Sequence, residues 1–123
     1  MTASPAPPGW PASVPPPGVA DWADKAVNWL LDQCPPEYRS YEVLRAYPVA
    51  LSRLAGHHVD AELAAARRGY ASARAQLRDL VPAEAIERVL AAYEREGARL
   101  TAVQRSVDLV DQALQGRHFR ARL

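Results

Sequence analysis

The sequence predicts an all-α fold built on a long, coiled-coil-like antiparallel helical hairpin that one or two shorter N-terminal helices brace. Residues 49–80 and 83–114 each carry apolar side chains at alternating spacings of three and four, the pattern of an amphipathic helix. Only Val81 and Pro82 separate the two segments. Helices joined by so short a connection pack antiparallel, so we expect the chain to fold back on itself at Pro82.

The composition is that of one modest domain. The chain has 123 residues and is 49% hydrophobic, but many of these residues are alanines, which favour helix and bury little area. A net charge of +1 gives no overall attraction to nucleic acid or to an anionic membrane. We see neither a signal peptide nor an apolar stretch of roughly 18 residues, and therefore expect a cytoplasmic protein without membrane contact.

The first 18 residues differ in composition from the rest. They hold seven of the eleven prolines, no charged side chain and one large side chain, Trp10. We expect residues 1–18 to be a disordered proline-rich tail, with a ligand for a proline-recognising groove as the alternative. The helical domain then covers residues 19–116, and residues 117–123 form a basic C-terminal tail.

Two short helices are predicted before the hairpin. Asp21 is a plausible N-cap for the first, Trp22 and Trp29 fall on its apolar face, and Pro35 ends it. A second helix is expected over residues 37–46, with Tyr38, Tyr41, Val43 and Leu44 supplying its apolar surface. Pro48 either starts the following helix or kinks one continuous helix, and the sequence does not choose between these.

Folding the chain at Pro82 also predicts the register of the hairpin. Facing positions then pair large side chains with small ones at most levels, and the charges agree, since Arg74 approaches Glu87 and Arg67 approaches Glu94. The expected facing pairs are Leu77 with Ile86, Ala73 with Leu90, Tyr70 with Tyr93, Ala66 with Gly97, and Leu63 with Leu100.

The far part of the hairpin is predicted to be a two-helix arm that buries little area by itself, which favours a binding role. For contact with a protein partner or a second copy of the chain, the candidate residues are Trp10, Tyr70 and Tyr93. For nucleic acid, the alternative, the candidates are the arginines of the first long helix and of the C-terminal tail: Arg67, Arg68, Arg74, Arg78, Arg117, Arg120 and Arg122.

The sequence predicts no catalytic, cofactor-binding or metal-binding residues. His58 and Glu62 have the i, i+4 spacing of metal ligands on a helix, but no third ligand accompanies them. The single cysteine, Cys34, excludes an intrachain disulfide. Since no serine–histidine–acid set or glycine-rich phosphate loop is visible either, we expect the protein not to be an enzyme and to use no small-molecule substrate.

Three segments, residues 29–39, 47–51 and 93–100, resemble segments of small helical actinobacterial proteins of unknown function. The resemblance extends over about residues 20–123 and implies no activity, cofactor or site. From the residues themselves, the leading hypothesis is a non-catalytic protein-interaction or adaptor module that self-associates or binds a partner. The alternative is a nucleic-acid-associated regulatory protein.

Overall fold

The computed structural model describes residues 6–116, which form a helical hairpin with two shorter helices packed at its open end. In chain order the elements are α1 (Trp22–Asp32), a 3-10 helix (Pro36–Ser40), α2 (Glu42–Ala46), α3 (Pro48–Leu77) and α4 (Ala83–Leu114). This confirms the predicted all-α fold class. No helix within this part of the chain is both long and apolar enough to cross a membrane.

Helices α3 and α4 have 30 and 32 residues and therefore run about 45–48 Å at 1.5 Å per residue. Helix α3 ends at Leu77, three residues before the predicted end. The residues that follow form a turn in which the Leu77 carbonyl accepts hydrogen bonds from the amides of Leu80 and Val81. Pro82 then supplies the extended residue before α4, and its carbonyl accepts the amides of Ala85 and Ile86.

The predicted register of the hairpin is present. Arg74 donates to Glu87 at 2.6 Å, Ala73 packs with Ile86 and Leu90, and a Cβ on Gly56 would lie 3.7 Å from Val107. These contacts occur at both ends of the seam, so the two helices keep one alignment over their whole paired length.

The apolar core is divided into a large and a small cluster. The large cluster occupies the open end, where Leu30 and Leu31 of α1 pack with Leu51, Val59 and Val110 of the hairpin. The small cluster is made of Ala73, Ile86 and Leu90, with partly buried neighbours drawn from α3, α4 and the turn between them. The hairpin therefore ends in a two-helix arm, defined here as residues 63–97. Leu63 and Ala66 at its base belong to the large cluster, and the rest of the arm has a thin core.

The predicted second helix is two short helical pieces. Tyr41, with φ −89° and ψ 97°, is extended and separates the 3-10 helix from α2. Of the four side chains expected to supply apolar surface, Leu44 is buried and Tyr38 is partly buried, whereas Tyr41 and Val43 are exposed. Pro48 starts α3 after Tyr47, whose backbone, with φ −128° and ψ 81°, is not helical. This resolves the open alternative in favour of a break in the helix.

Residues 6–18 differ from the disordered tail that the sequence analysis expected. They form successive turns in which proline carbonyls accept backbone amides, including Trp10 N to Pro7 O and Val14 N to Pro11 O. Prolines preset φ for such turns, so a proline-rich segment can present one apolar side to the helices. Val14 is buried in the large cluster, and Ser106 of α4 donates to the Gly9 carbonyl at 2.6 Å.

Trp10 packs this segment against α1. Its ring lies 6.1 Å from that of Trp22, and its Nε1 donates to the Val14 carbonyl at 2.9 Å. Trp22 and Trp29, expected as anchors of α1, are partly buried at the edge of the large cluster. The N-terminal segment therefore brings a third tryptophan to the apolar packing between α1 and the hairpin.

We expect Trp10→Ala to lower the free energy of unfolding by about 2 kcal/mol. Truncating a fully buried tryptophan costs about 3–5 kcal/mol, and Trp10 is only partly buried. Urea denaturation followed by circular dichroism measures the change, with Pro8→Ala, an exposed position in the same segment, as the control. A Trp10→Ala variant as stable as the wild type would contradict the packing of this segment.

Candidate interaction surface

The two flanks of the hairpin seam differ in what covers them. On one flank, the end of α1 at Cys34 lies close to His58 and Glu62 of α3 and Arg99 of α4. Adjacent helical residues differ by about 100° in direction, so residues such as His57 and Asp60 project from the other flank of α3. We call this second flank the open face.

A groove of about 930 Å³ occupies the wide end of the open face. Helix α3 contributes Ser52, Arg53 and Asp60, and helix α4 contributes Arg105 and Asp111 among its walls. Gly56, Ala98 and Ala102 also line it. The groove therefore combines charged side chains with small apolar residues.

Asp111 is the centre of a polar network in this groove. Ser52 Oγ and Arg53 Nε donate to its Oδ2 at 2.6 and 2.8 Å, and Gln115 donates to its Oδ1. Burial raises the pKa of the Asp111 carboxyl, but the hydrogen bonds from Ser52, Arg53 and Gln115 outweigh it and hold the pKa below its ordinary value. The carboxylate is thus a structural acceptor that joins α3 to α4.

A smaller apolar notch of about 220 Å³ lies further along the open face, on the arm. Tyr70, Arg67 and Ala66 line it from α3, and Tyr93, Glu94 and Gly97 line it from α4. A Cβ on Gly97 would meet no atom within 4 Å, so the notch opens at this glycine. Tyr70 is 44% exposed beside it.

Tyr93 fills the seam next to the notch by packing on Gly69. A Cβ at Gly69 would lie 2.3–2.7 Å from the ring and hydroxyl of Tyr93, which is too close for any side chain. The glycine therefore allows the ring to lie directly against the α3 backbone. Gly69 is part of the packing, while Gly97 leaves a gap.

The predicted interaction residues are only partly brought together. Tyr70 and Tyr93 line the same notch, as their facing positions predicted. Trp10 is not among the residues that line it, and its ring packs against Trp22 instead.

The predicted nucleic-acid residues on α3 are exposed and unevenly paired. Arg74 is paired with Glu87. Arg67 and Glu94 both line the notch, but within residues 6–116 neither takes part in an ion pair. Arg68 follows Arg67 and so projects away from the open face, and Arg78 caps the end of α3. The remaining candidates, Arg117, Arg120 and Arg122, lie outside the described residues.

The other polar candidates form local contacts. His58 lies 2.9 Å from Glu62, and no group of three or more histidine, cysteine or acidic side chains in residues 6–116 is placed to hold a metal ion. Cys34 donates to the Leu30 carbonyl at 3.3 Å. Burial raises the pKa of the Cys34 thiol, and the opposing effect of Arg39 does not offset it. Cys34 is therefore less ionised than a free cysteine at the same pH.

The Asp111 network was not predicted, although the sequence contains a signal for it. Ser52 and Asp111 face each other when the predicted register is extended to the open end, and both fall on positions that should carry apolar side chains. A polar pair at facing seam positions indicates a buried hydrogen bond. Tyr41, expected on the apolar surface of the second helix, is exposed, and so is Tyr47 at the end of α2.

We expect Asp111→Ala to lower the free energy of unfolding by about 1–3 kcal/mol at neutral pH, the usual cost of losing a buried charged acceptor. Because the folded-state pKa is lowered, the carboxylate stabilises the fold above its unfolded-state pKa, and this contribution disappears as pH falls through the folded-state value. Urea titrations of wild type and variant should therefore converge in acid.

Asp108→Ala is the matched control for this prediction. Asp108 is an exposed groove residue one turn earlier, and it accepts a hydrogen bond from Gln112 of the same helix. A difference between wild type and Asp111→Ala that stays constant down to strongly acidic pH would contradict the assigned role of the carboxylate.

The two arm glycines should respond oppositely to the same substitution. Gly97→Ala should raise the free energy of unfolding by up to about 1 kcal/mol, because alanine favours helix and its Cβ meets open space. Gly69→Ala should lower it, because Tyr93 must leave its position. Thermal denaturation of dilute protein measures both, and equal stabilisation by the two changes would contradict the packing of Tyr93 on Gly69.

Comparisons with known proteins add no relative from which a role could be transferred. No protein family matches the chain, and neither the curated proteins nor the solved structures contain a significant match.

Proposed function

We propose that the protein is a non-catalytic helical interaction module, and that the open face of its hairpin is the surface that contacts a protein partner. The observation that carries the proposal is the notch on the arm, where exposed Tyr70 lies beside an unfilled apolar space. Aromatic side chains next to small apolar pockets are typical anchors of protein interfaces. A cytoplasmic location, which the sequence analysis expects, belongs to the same proposal.

The thin core of the arm supports a binding role. Its small cluster consists of Ala73, Ile86 and Leu90, and alanine contributes little apolar area. Helices of this length gain most of their stability in proteins from tertiary packing, and in the described part of the chain the arm has only one helix-to-helix seam. A partner on the open face would give each arm helix a second packing surface.

The polar chemistry of the groove supports binding over catalysis. The Asp111 carboxylate is occupied by three hydrogen-bond donors and has a lowered pKa. A general base works best with a pKa near the working pH and with access to the substrate proton. Asp111 meets neither condition, so we assign it to joining the two helices.

The mixture of charges on the arm favours a protein partner over nucleic acid. Arg67 and Arg74 lie opposite Glu94 and Glu87, so phosphates approaching the arginines also approach carboxylates. Alternating charges of this kind suit a partner with a complementary pattern. Nucleic-acid binding remains the second candidate function. Its proposed site includes Arg117, Arg120 and Arg122, which lie outside the described residues and have no acidic residue among residues 117–123.

Photo-crosslinking tests the proposed surface. A benzophenone amino acid placed at Tyr70 in the full chain should capture protein in the native host, whereas the same group at Arg95, an exposed position on the outer side of α4, should not. Adducts are identified by mass spectrometry. Equal capture from both positions, or none from Tyr70, would contradict the proposal.

The nucleic-acid alternative has a separate test at low salt. Duplex DNA and single-stranded RNA are titrated with wild type and with a variant in which Arg117, Arg120 and Arg122 are all replaced by alanine. Binding that weakens with added salt and with the triple substitution would favour the alternative. Absence of binding at low salt would reject it.

A further inference from the structure

We propose that the occupant of the open face is a second copy of this chain, arranged as a two-fold dimer in which the two hairpins lie parallel with their turns at the same end. This inference rests on the proposed function, in which the open face binds protein. It adds the identity of the partner and its orientation.

The charge pattern of the arm is complementary to itself. Along the open face α3 presents Arg67, Arg74 and Arg78, while α4 presents acidic residues at the same levels. The Arg74–Glu87 pair fixes one level and the notch, lined by both Arg67 and Glu94, fixes another. Glu84 lies one turn before Glu87 and therefore opposite Arg78. A basic row thus runs beside an acidic row.

Two such faces can meet in either of two symmetric ways. Rotation about an axis parallel to the helices places α3 of one copy against α4 of the other, so that each basic row meets an acidic row. Rotation about an axis across the helices places α3 on α3 and brings the arginine rows together. Since like charges facing each other oppose association, the charges select the parallel arrangement.

At the wide end of the open face, one level carries the same complementarity with the signs reversed, while Arg53 of α3 and Asp108 of α4 repeat the signs of the arm. Here α3 contributes Asp60, which accepts a hydrogen bond from Gln104, and α4 contributes Arg105, which donates to the Pro8 carbonyl. Both side chains line the groove. In the parallel arrangement the two face each other between copies, at nearly the same level as in the single chain. The complementarity therefore extends beyond the arm.

Tyr70 and the notch provide a shape match in the same arrangement. Side chains on a helix lean toward its N-terminus, so Tyr70 leans toward the level of Gly97, four residues after its facing partner Tyr93. In the parallel dimer this places the Tyr70 ring of one copy over the gap at Gly97 of the other. The notch of about 220 Å³ on each copy would then receive the Tyr70 ring of the other copy.

The unpaired charges at the notch support the same occupant. Arg67 and Glu94 form no ion pair within residues 6–116, although they line one small space. Between two copies, Arg67 of each chain would meet Glu94 of the other. A second copy would therefore give both side chains of each chain an ionic partner.

The available area suits a modest dimer. From Arg53 to Arg78 the face is about 35–40 Å long at 1.5 Å per residue. With two helices packed about 8–10 Å apart, it offers roughly 500–700 Å² per copy. Stable interfaces use about 800 Å² per copy, so we expect an equilibrium that depends on protein concentration.

Sedimentation equilibrium of the full chain tests the proposal with two charge reversals. Over about a hundred-fold range of concentration, the wild type should shift from the 13.5 kDa monomer to twice that mass. Arg67→Glu and Glu94→Arg should each remain monomeric, because each places like charges together between identical copies. Both positions are exposed, and circular dichroism verifies that the variants keep their helices.

Mixing the two variants tests the orientation. In the parallel dimer an equimolar mixture places the introduced glutamate of one chain against the introduced arginine of the other. The unchanged Glu94 of the first chain then meets the unchanged Arg67 of the second, so dimers should return. Arg68→Glu, beside Arg67 but directed away from the open face, is the control and should dimerise like the wild type. A mixture that stays monomeric would overturn the parallel arrangement.

A wild type that is monomeric at every concentration would overturn the second copy as the occupant. The proposed function would still hold if the photo-crosslinker at Tyr70 captured a different protein. Failure of both experiments would remove the open face as an interaction surface. The two proposals are therefore separately testable.

Discussion

The pairing of α3 with α4 in one register positions the other features of this molecule. The turn at Leu77–Pro82 begins the alignment, the Arg74–Glu87 pair and the Tyr93 ring on Gly69 continue it, and the Asp111 network holds it at the open end. A shift by one residue would remove each of these contacts together. The same alignment creates the notch, because it sets Gly97 beside Tyr70 without a side chain to fill the space.

The two ends of the hairpin are stabilised in different ways. At the open end α1, α2 and residues 6–18 pack on the hairpin, and large side chains such as Leu30, Leu51 and Val110 are fully buried. Beyond Leu63 and Ala66, the arm as described within residues 6–116 has only the seam between its two helices. Since hydrophobic stabilisation follows buried apolar area, the arm should be the part of the fold that opens most readily. A surface that gains stability from a partner is suited to binding.

Periodicity and one proline were sufficient to predict the hairpin, its register and the Arg74–Glu87 pair, because these follow from local spacing. The same reasoning failed where packing between distant segments decides the outcome. Nothing in the spacing of the N-terminal prolines shows that their segment packs on α1 through Trp10 and on α4 through Gly9. Tyr41 and Val43 looked apolar enough for a core, but the extended Tyr41 backbone turns them to solvent. Predicting the notch requires knowing that the Tyr93 ring packs on Gly69 and that no side chain packs on Gly97.

Hydrogen exchange of the full chain, followed by mass spectrometry at low and high protein concentration, tests most directly whether the arm is incomplete by itself. We predict that in dilute solution the amides of residues 63–97 exchange faster than those around Leu51 and Val110, and that their protection rises with concentration. The amides at the open end should change little. Protection of the arm equal to that of the open end at the lowest concentration would contradict this account.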